Sequence, residues 1–182
     1  MTDVLIWLLL FISAAMMIIS FVLASFGLSF LVGAPFVATP KKIAREMLEF
    51  AEFKPGETII DLGSGDGSIL FVAAEEFGAD RAIGYEINPI LVIISNLRTK
   101  WRKNIHIKTI RANFFSRPVE QVDVIATYLW PSTMDRLVDK LRSELSPETR
   151  VISRGFQFKQ SKPEKELIGS KSRLYLYRVG DL

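Results

Sequence analysis

The stretch Ile59–Leu70, which reads IIDLGSGDGSIL, constrains the fold of this chain more than any other part of its sequence. An apolar run reaches the acid Asp61, glycines follow at positions 63, 65 and 67, and a second apolar run resumes after them. Glycine allows backbone angles that other residues avoid, so a ligand can lie directly against the main chain. In open α/β sheets, the turn between the first strand and its helix holds much of the ligand. The stretch therefore predicts a strand, a binding turn and a helix, in that order.

Segments typical of strands and helices alternate from residue 40 to the end of the chain. Short apolar or alternating runs predict strands at Thr58–Leu62, Ala82–Tyr85, Ile105–Ile110, Val122–Ala126, Val151–Ile152 and Leu174–Tyr177. Helical spacing of apolar residues predicts helices after Pro40, over Ser68–Phe77, from Pro89 with Asn88 as its N-cap, and from a cap at Ser132. Repeated strand–helix–strand units predict an α/β fold: a Rossmann-like, doubly wound, mostly parallel sheet with helices on both faces.

The N-terminal segment Val4–Val32 contains no charged residue. At a rise of 1.5 Å per residue it is long enough to cross a bilayer core of about 30 Å. A cleaved signal peptide would have a shorter apolar core and a positively charged start, which Met1-Thr2-Asp3 lacks. We therefore predict a transmembrane anchor in residues 1–33, in contact with the lipid bilayer through residues 4–32, and one domain in residues 34–182. Gly33–Pro40, with two prolines and no helical period, is expected to link them.

The charges that follow the apolar segment predict its orientation. Lys41, Lys42 and Arg45 are the first basic residues of the chain. Short flanks rich in Lys and Arg stay on the cytoplasmic side of a membrane. We therefore expect a single-pass protein of the cell membrane, with its N-terminus outside and residues 34–182 in the cytoplasm.

Composition excludes some chemistry. The chain has no cysteine, so disulfides, thiolate zinc sites and cysteine nucleophiles are ruled out. Its single histidine, His106, starts a run that alternates apolar and polar residues up to Ile110. We expect His106 on the surface of that strand, and the exposed Lys108 suits a strand at the edge of the sheet.

The acids near the glycine turn indicate which ligand it holds. A nicotinamide-dinucleotide fingerprint needs its third glycine at position 68, where Ser68 stands. Asp61 is better explained by a ligand with positive charge, such as the sulfonium and amino group of S-adenosylmethionine. Glu86, after the second strand, can accept hydrogen bonds from both ribose hydroxyls, and after the third strand Asn113 could meet the adenine amino group while Phe114 packs on the base. The alternative is a tight structural turn beside two solvated acids.

With these residues, the sequence resembles the seven-strand, class I S-adenosylmethionine-dependent methyltransferases. More narrowly it is similar to the small archaeal broad-specificity and the membrane-anchored mitochondrial protein-lysine methyltransferases, the latter acting on inner-membrane proteins. The similarity lies in the apolar N-terminal segment, Pro35–Pro40 (PFVATP), Asp61–Gly67, Gly84–Pro89 and Asn113–Phe115. The motif before the first domain helix usually reads Pro-Tyr-Val-Pro-Thr-Pro in that family. Phe36 and Ala38 depart from it, so no tyrosine hydroxyl is available at position 36.

The resemblance implies S-adenosylmethionine as the cofactor and no metal. It places Thr39, Gly63, Ser64, Gly65, Asp61, Glu86, Asn113 and Phe114 at the cofactor. Methyl transfer from a sulfonium requires chiefly that a neutral nucleophile be aligned and water excluded. Aromatic side chains could line an apolar channel for a lysine amine. We expect Phe36 and Tyr128 in the catalytic site, with Trp130 and Phe156 as further candidates.

The acceptor is inferred from what the sequence lacks. Thr127-Tyr128-Leu129-Trp130 does not match the Asn/Asp-Pro-Pro-Tyr pattern of methyltransferases that act on adenine or glutamine, which argues against a nucleic-acid substrate. A sheet without an inserted lid suits a protein surface better than a small metabolite. We therefore expect methylation of lysine side chains on proteins near the cytoplasmic membrane face. The alternatives are a lipid or quinone-like acceptor at the membrane, and a catalytically silent membrane scaffold.

Overall fold

The computed structural model describes residues 2–32, 36–102 and 106–182. The helices are α1 (Thr2–Val32), α2 (Lys41–Phe50), α3 (Ser68–Glu76), α4 (Pro89–Lys100) and α5 (Pro131–Glu144), with a 3₁₀ turn at Val179–Asp181. The strands are β1 (Thr58–Leu62), β2 (Arg81–Glu86), β3 (Ile107–Arg111), β4 (Val124–Thr127), β5 (Arg150–Arg154), β6 (Lys165–Ile168) and β7 (Arg173–Arg178).

The seven strands form one sheet in the order β3-β2-β1-β4-β5-β7-β6. Strands β1 to β5 run parallel to one another, whereas β7 runs antiparallel to both β5 and β6. The chain winds outward from β1 in both directions, so the strand order reverses between β1 and β4. This mixed, doubly wound sheet confirms the predicted fold class, and β3 lies at an edge as expected. In such sheets the ligand binds beyond the carboxyl ends of the strands at the reversal point.

Each face of the sheet buries its own apolar cluster. One cluster joins α2 and α3 to the side chains of Ile59, Ala82 and Val124, and the other joins α5 to those of Ile60, Ile83 and Ile125. Side chains alternate between the two faces along each strand, so consecutive buried residues of β1 belong to different clusters. A sheet covered on both faces accounts for the nearly unbroken apolar runs of its central strands.

The start of α4 confirms one expectation made from the sequence. Asn88 Oδ1 accepts a hydrogen bond of 2.9 Å from the backbone N–H of Ile90, and Pro89 occupies the first helical turn. The β-branched residues that follow therefore lie in a helix, although their intrinsic preference is for strands. The cap and the proline together decide the local structure.

Other element boundaries differ from the prediction. Ser132 is not a cap, because α5 begins at Pro131 with Trp130 at the N-cap position and no side-chain cap bond. Proline starts a helix readily, since its fixed φ suits the first turn and its missing N–H is not needed there. The strand predicted from Val122 begins only at Val124, and β6 was not predicted at all. Ile105, the predicted start of the third strand, lies outside the described residues.

The N-terminal apolar segment is one continuous helix, α1, and the span Asp3–Gly27 is long and apolar enough to cross a membrane. Near its C-terminal end α1 contacts the rest of the chain. The backbone carbonyl of Ser25 accepts a hydrogen bond of 3.1 Å from Asn88 Nδ2, and the rings of Phe26 and Phe36 lie 6.4 Å apart. Residues 36–40 have no regular structure, as expected for a linker, while its first residues, Gly33, Ala34 and Pro35, lie outside the described residues.

Candidate functional site

A cleft of about 800 Å³, counted with its opening to solvent, lies at the carboxyl ends of the central strands. All ten site residues predicted from the sequence line it: Phe36, Thr39, Asp61, Gly63, Ser64, Gly65, Glu86, Asn113, Phe114 and Tyr128. They come from the linker, the β1–α3 turn and the ends of β2, β3 and β4. The fold therefore brings together residues that lie up to 92 positions apart in the sequence.

The β1–α3 turn presents bare backbone to the cleft. Gly65 has a φ of 56°, and a Cβ atom added to it would lie 2.5 Å from Cε2 of Phe36. Gly67 has a φ of 82°, and an added Cβ would lie 2.4 Å from Ser95 Oγ. Both the left-handed backbone and the close neighbours require glycine at these positions. The absence of side chains at these positions lets Phe36 and Ser95 lie directly against the main chain of the turn.

Glu86 links this turn to the start of α4. Its Oε2 accepts a 2.8 Å hydrogen bond from the Gly65 N–H, and its Oε1 accepts one of 2.8 Å from the Asn88 N–H. Burial raises the pKa of Glu86, while these backbone donors oppose that shift. A carboxylate has about four acceptor positions, so Glu86 keeps capacity to accept a hydrogen bond from a ligand hydroxyl.

Asp61 is the most perturbed acid in the cleft. Its side chain is 3 % exposed, and burial, helped by the nearby Glu86 and Asp66, raises its pKa to about 8. In the part of the chain that the structure describes, no cationic side chain forms an ion pair with Asp61, whereas Asp66 is paired with Arg98 at 2.6 Å. A cationic ligand would supply the missing positive charge and favour the ionised carboxylate.

Ser64 provides a second polar group whose hydrogen bonding is unsatisfied within the described part of the chain. Among the described residues its Oγ is buried and has no hydrogen-bond partner. Buried hydroxyls without a partner are uncommon in folded proteins. Ser64 lines the cleft between Gly63 and Gly65, so a bound ligand could provide that partner. The bare turn, the unpaired acid and this hydroxyl together fit S-adenosylmethionine, which carries a cationic sulfur, an amino group and a ribose.

Asn113 and Phe114 border the cleft beyond β3. Asn113 Oδ1 accepts a 3.0 Å hydrogen bond from the Phe115 N–H, which fixes the turn and leaves the side-chain N–H groups for another acceptor. The ring of Phe114 is largely buried and lies 4.7 Å from that of Phe115. These two positions suit the base of a nucleoside, with one polar and one apolar contact.

Aromatic side chains border the other part of the cleft. Phe36 lies against Gly65, and Tyr128 stacks on Phe156 with ring centroids 6.4 Å apart. Phe156 thus supports Tyr128 from behind. Trp130 lies outside the described lining of the cleft and is half exposed, so the structure does not bring it to the other candidates.

Arg154 is a residue beside the site that the sequence analysis missed. Its side chain is 7 % exposed, and its guanidinium lies 4.3 Å from the centroid of the Tyr128 ring. Nη1 donates a 3.1 Å hydrogen bond to Thr39 Oγ1, and Nε donates one of 3.2 Å to Ser172 Oγ. A charged residue at the end of an apolar strand, directly before Gly155, was the signal that could have revealed it.

The fold and this cleft define a class I S-adenosylmethionine-dependent methyltransferase. Among solved structures, an RNA methyltransferase from Salinibacter ruber in complex with S-adenosyl-L-homocysteine is 31 % identical, with a TM-score of 0.73 over 79 % of this chain and 94 % of that one. A ribosomal protein L11 methylase from Lactobacillus delbrueckii subsp. bulgaricus shares the fold at 20 % identity, with a TM-score of 0.62 over 74 % of this chain and 76 % of that one. S-adenosylmethionine is therefore the cofactor of this chain.

Sequence comparison identifies the family. A family model described as the ANTKMT methyltransferase domain matches residues 61–165, and the chain belongs to this family. A protein-lysine N-methyltransferase from Saccharolobus islandicus is 32 % identical over 85 % of this chain and 99 % of its own length. The mouse adenine nucleotide translocase lysine N-methyltransferase is 31 % identical, and a human lysine N-methyltransferase named for a component of ATP synthase is 32 % identical. These matches cover 80 % and 71 % of this chain, which spans 63 % and 55 % of the two mammalian enzymes.

Proposed function

We propose that this chain is a membrane-anchored methyltransferase that methylates lysine side chains of proteins near the cytoplasmic membrane face. The similarity to the archaeal protein-lysine N-methyltransferase carries the proposal, since it extends over 99 % of that enzyme. The mammalian relatives are also named for lysine acceptors in proteins.

The length and composition of α1 support the membrane anchor in residues 1–33. Asp3–Gly27 could span a bilayer, and its large apolar side chains are exposed rather than packed on the domain. A run of exposed Leu, Ile and Phe is unfavourable in water and favourable in lipid. Lys41, Lys42 and Arg45, which follow it, favour a cytoplasmic position for the methyltransferase domain in residues 34–182.

The cleft residues can divide the work of methyl transfer. When bound, S-adenosylmethionine supplies a methyl group on a cationic sulfur. Asp61 and Glu86 would hold its charged and hydroxyl groups, while Phe36 and Tyr128 would exclude water from the acceptor amine. The amine must be neutral to react, and the guanidinium of Arg154, 4.3 Å from the centroid of the Tyr128 ring, would lower the pKa of an amine bound near that ring. The lysine ammonium releases a proton to solvent before its nitrogen accepts the methyl group.

Two other acceptors have support from particular observations. A lipid or quinone-like molecule would explain α1 equally well, because both lie in the bilayer. The Salinibacter ruber structure is named an RNA methyltransferase at 31 % identity, which makes RNA the second candidate. Thr127–Trp130 lacks the Asn/Asp-Pro-Pro-Tyr pattern, and this absence favours lysine over a base.

Fractionation of a labelled membrane preparation tests the proposal. Membranes and ribosomes from cells that lack the enzyme are incubated with methyl-labelled S-adenosylmethionine and the purified full chain. The products are then separated into protein, lipid and RNA. We expect the label in protein, and mass spectrometry should place it on lysines in segments near the cytoplasmic face. Label confined to lipid or to RNA would replace lysine by the corresponding acceptor.

The matched control is the Glu86→Ala variant. Loss of the ribose contacts should weaken cofactor binding by about 1.5 to 3 kcal/mol, the range for hydrogen bonds to a charged group. At a cofactor concentration near the wild-type Kd, every genuine methyl mark should fall strongly with this variant. A mark that persists belongs to a contaminating enzyme.

A further inference from the structure

Helix α4 presents an apolar face to solvent. Four large apolar side chains on this face are exposed: Ile93 (56 %), Ile94 (40 %), Leu97 (48 %) and Trp101 (86 %), which directly follows the helix. They recur at spacings of three and four residues, so they lie on one side of the helix. On the other side of the helix Leu91 and Ser95 are buried, and the hydroxyls of Ser95 and Thr109 of β3 share a hydrogen bond. Contiguous apolar faces of this kind mark contact sites with membranes or other proteins.

The charge around this face favours a membrane over a protein of mixed charge. From Ile87 to Val119 the sequence contains no acidic residue and seven basic ones. Lys100 and Arg111 are exposed, and neither forms an ion pair within the described ranges. A helix with an apolar face and basic flanks suits the surface of an anionic bilayer, where basic residues add electrostatic attraction.

The position of α4 supplies the third argument. Asn88, the N-cap of α4, donates its 3.1 Å hydrogen bond to the Ser25 carbonyl at the C-terminal end of the candidate span. The start of α4 therefore lies where α1 would leave the bilayer. The cleft is close by, since Ile87 and Phe36 line it and Phe36 neighbours Phe26 of α1.

We propose that the α4 face, defined by Ile93, Ile94, Leu97 and Trp101, binds the anionic surface of the same membrane that α1 crosses. This inference rests on the proposed membrane anchor. It gives the domain two attachments, one transmembrane and one interfacial, and so fixes the orientation of the domain on the bilayer. The cleft mouth is then held at the lipid surface, where it can take lysines within a few residues of a membrane-embedded segment.

Tryptophan fluorescence tests this contact, because the chain has only three tryptophans, at positions 7, 101 and 130. Two full-length variants are placed in nanodiscs of phosphatidylcholine and phosphatidylglycerol. One retains only Trp101 (Trp7→Phe with Trp130→Phe), and the other retains only Trp7. Lipids brominated near the glycerol backbone, or deeper in the acyl chains, serve as contact quenchers, and iodide serves as the aqueous quencher.

We expect shallow bromine to quench Trp101 and iodide to leave it largely unaffected. Quenching of Trp7 but not of Trp101 by brominated lipids, with Trp101 open to iodide, overturns the inference and keeps the anchor. If Trp101 is shielded from both quenchers, a protein covers the face, whether a second copy or a partner, and the inference is wrong. If neither the shallow nor the deep brominated lipids quench Trp7, the membrane anchor is wrong, and the inference that rests on it is wrong as well.

A pair of substitutions gives an independent readout. Leu97→Glu places a charge in the α4 face, whereas Ser143→Glu makes the same charge change on the exposed side of α5. We expect Leu97→Glu to abolish most of the bromine quenching of Trp101 and to restore access to iodide. Ser143→Glu should change neither. Equal behaviour of the two variants contradicts the proposed contact.

Discussion

Asp61 is held in the folded chain as a carboxyl group whose pKa is about 8, against an ordinary value of 3.8. Burial is the main cause, because the charged form loses its hydration inside the cleft. The unfolded chain releases the Asp61 proton as the pH rises past about 4, while the folded chain keeps it until about pH 8. A carboxyl group with a raised pKa, such as that of Asp61, therefore destabilises the folded state progressively as the pH rises through this window. A bound cation removes the cost, so the same residue couples folding, pH and cofactor binding.

The Asp61→Asn variant should reveal this coupling. Without cofactor, its free energy of unfolding should exceed that of the wild type by more at pH 8 than at pH 5, since asparagine does not titrate. From pH 5 to pH 8, the margin by which the free energy of unfolding of the variant exceeds that of the wild type should grow by at least about 1.4 kcal/mol, the equivalent of one pKa unit. With S-adenosylmethionine the order should reverse, because the variant lacks the anionic partner. Denaturant titrations at the two pH values, each with and without cofactor, provide the measurement.

A matched control is the exposed Asp139, whose change to Asn removes the same charge from the surface of α5. Its stability should follow the wild-type pH profile. Parallel profiles for Asp61→Asn and the wild type would show that folding does not raise the pKa of Asp61. The coupling of pH and stability through this residue would then be wrong.

At the scale of elements, the linker before α2 is held over the cleft by side chains from other parts of the fold. Thr39 Oγ1 accepts the 3.1 Å hydrogen bond from Arg154, and the same guanidinium supports the Tyr128 ring. Arginine suits this position because its planar guanidinium can stack on a ring and donate in plane at the same time. Arg154 therefore connects β5, the linker and the aromatic side of the cleft. We assign it a positioning role.

Replacing Arg154 by Met should separate positioning from folding. Methionine keeps apolar bulk in the buried site but lacks the donors, so Thr39 and Tyr128 lose their common support. We expect kcat/KM for the methyl acceptor to fall roughly 10- to 100-fold, which corresponds to the loss of about 1.5 to 3 kcal/mol from charged hydrogen bonds. Steady-state kinetics with a protein acceptor provide the measurement, and Arg154→Lys should recover part of the loss.

The control for Arg154 is Arg173→Met on the neighbouring strand β7. Arg173 is exposed, and its side chain pairs with Glu166 at 3.4 Å, away from the cleft. This variant should keep wild-type kinetics. Unchanged kcat/KM in Arg154→Met would instead show that the linker and Tyr128 hold their positions without the guanidinium.

Elements that are determined by interactions between sequence neighbours could be predicted from the sequence. Elements that are determined by contacts with distant segments could not. Asn88 before Pro89 sets the start of α4 through its own hydrogen bond, so residue types alone revealed it. Strand β6 is exposed along its whole length and exists because it pairs with β7, which leaves no burial pattern to detect. Helix α5 begins at Pro131 and not after a cap at Ser132, because the fixed φ of proline already suits the first helical turn.

The candidate site shows the same division. The glycines and the two acids of the cleft lie at strand ends, where the fold class itself dictates their position, and all ten predicted residues line one cleft. Arg154 contacts Thr39 across 115 residues of sequence, so its position before Gly155 could mark it as unusual but could not reveal this partner. Whether Gly65 is covered by Phe36 likewise depended on the path of the linker.

At the scale of the whole molecule, Phe36 connects the proposed anchor to the cleft, since its ring lies near Phe26 of α1 and near Gly65. The eight residues Gly33–Pro40 can span at most roughly 29 Å, given about 3.6 Å per extended residue. The cleft is therefore confined close to the bilayer if α1 crosses it. Confinement raises the effective concentration of any acceptor in the same membrane without a new contact. Such an enzyme can be selective for acceptors by location as well as by their sequence.

Selectivity by location requires the domain to be on the same side of the membrane as its acceptors, and this orientation can be measured directly. Lys41, Lys42 and Arg45 follow the apolar segment, and basic flanks are retained in the cytoplasm. Protease added to intact cells that express the full chain should therefore spare residues 41–182, as followed by an antibody to the C-terminus. The same protease should degrade the domain once the membrane is permeabilised, which shows that the fold alone does not protect it. Degradation in intact cells would place the domain outside, where it could not draw on the cellular cofactor supply, and would reverse the proposed orientation.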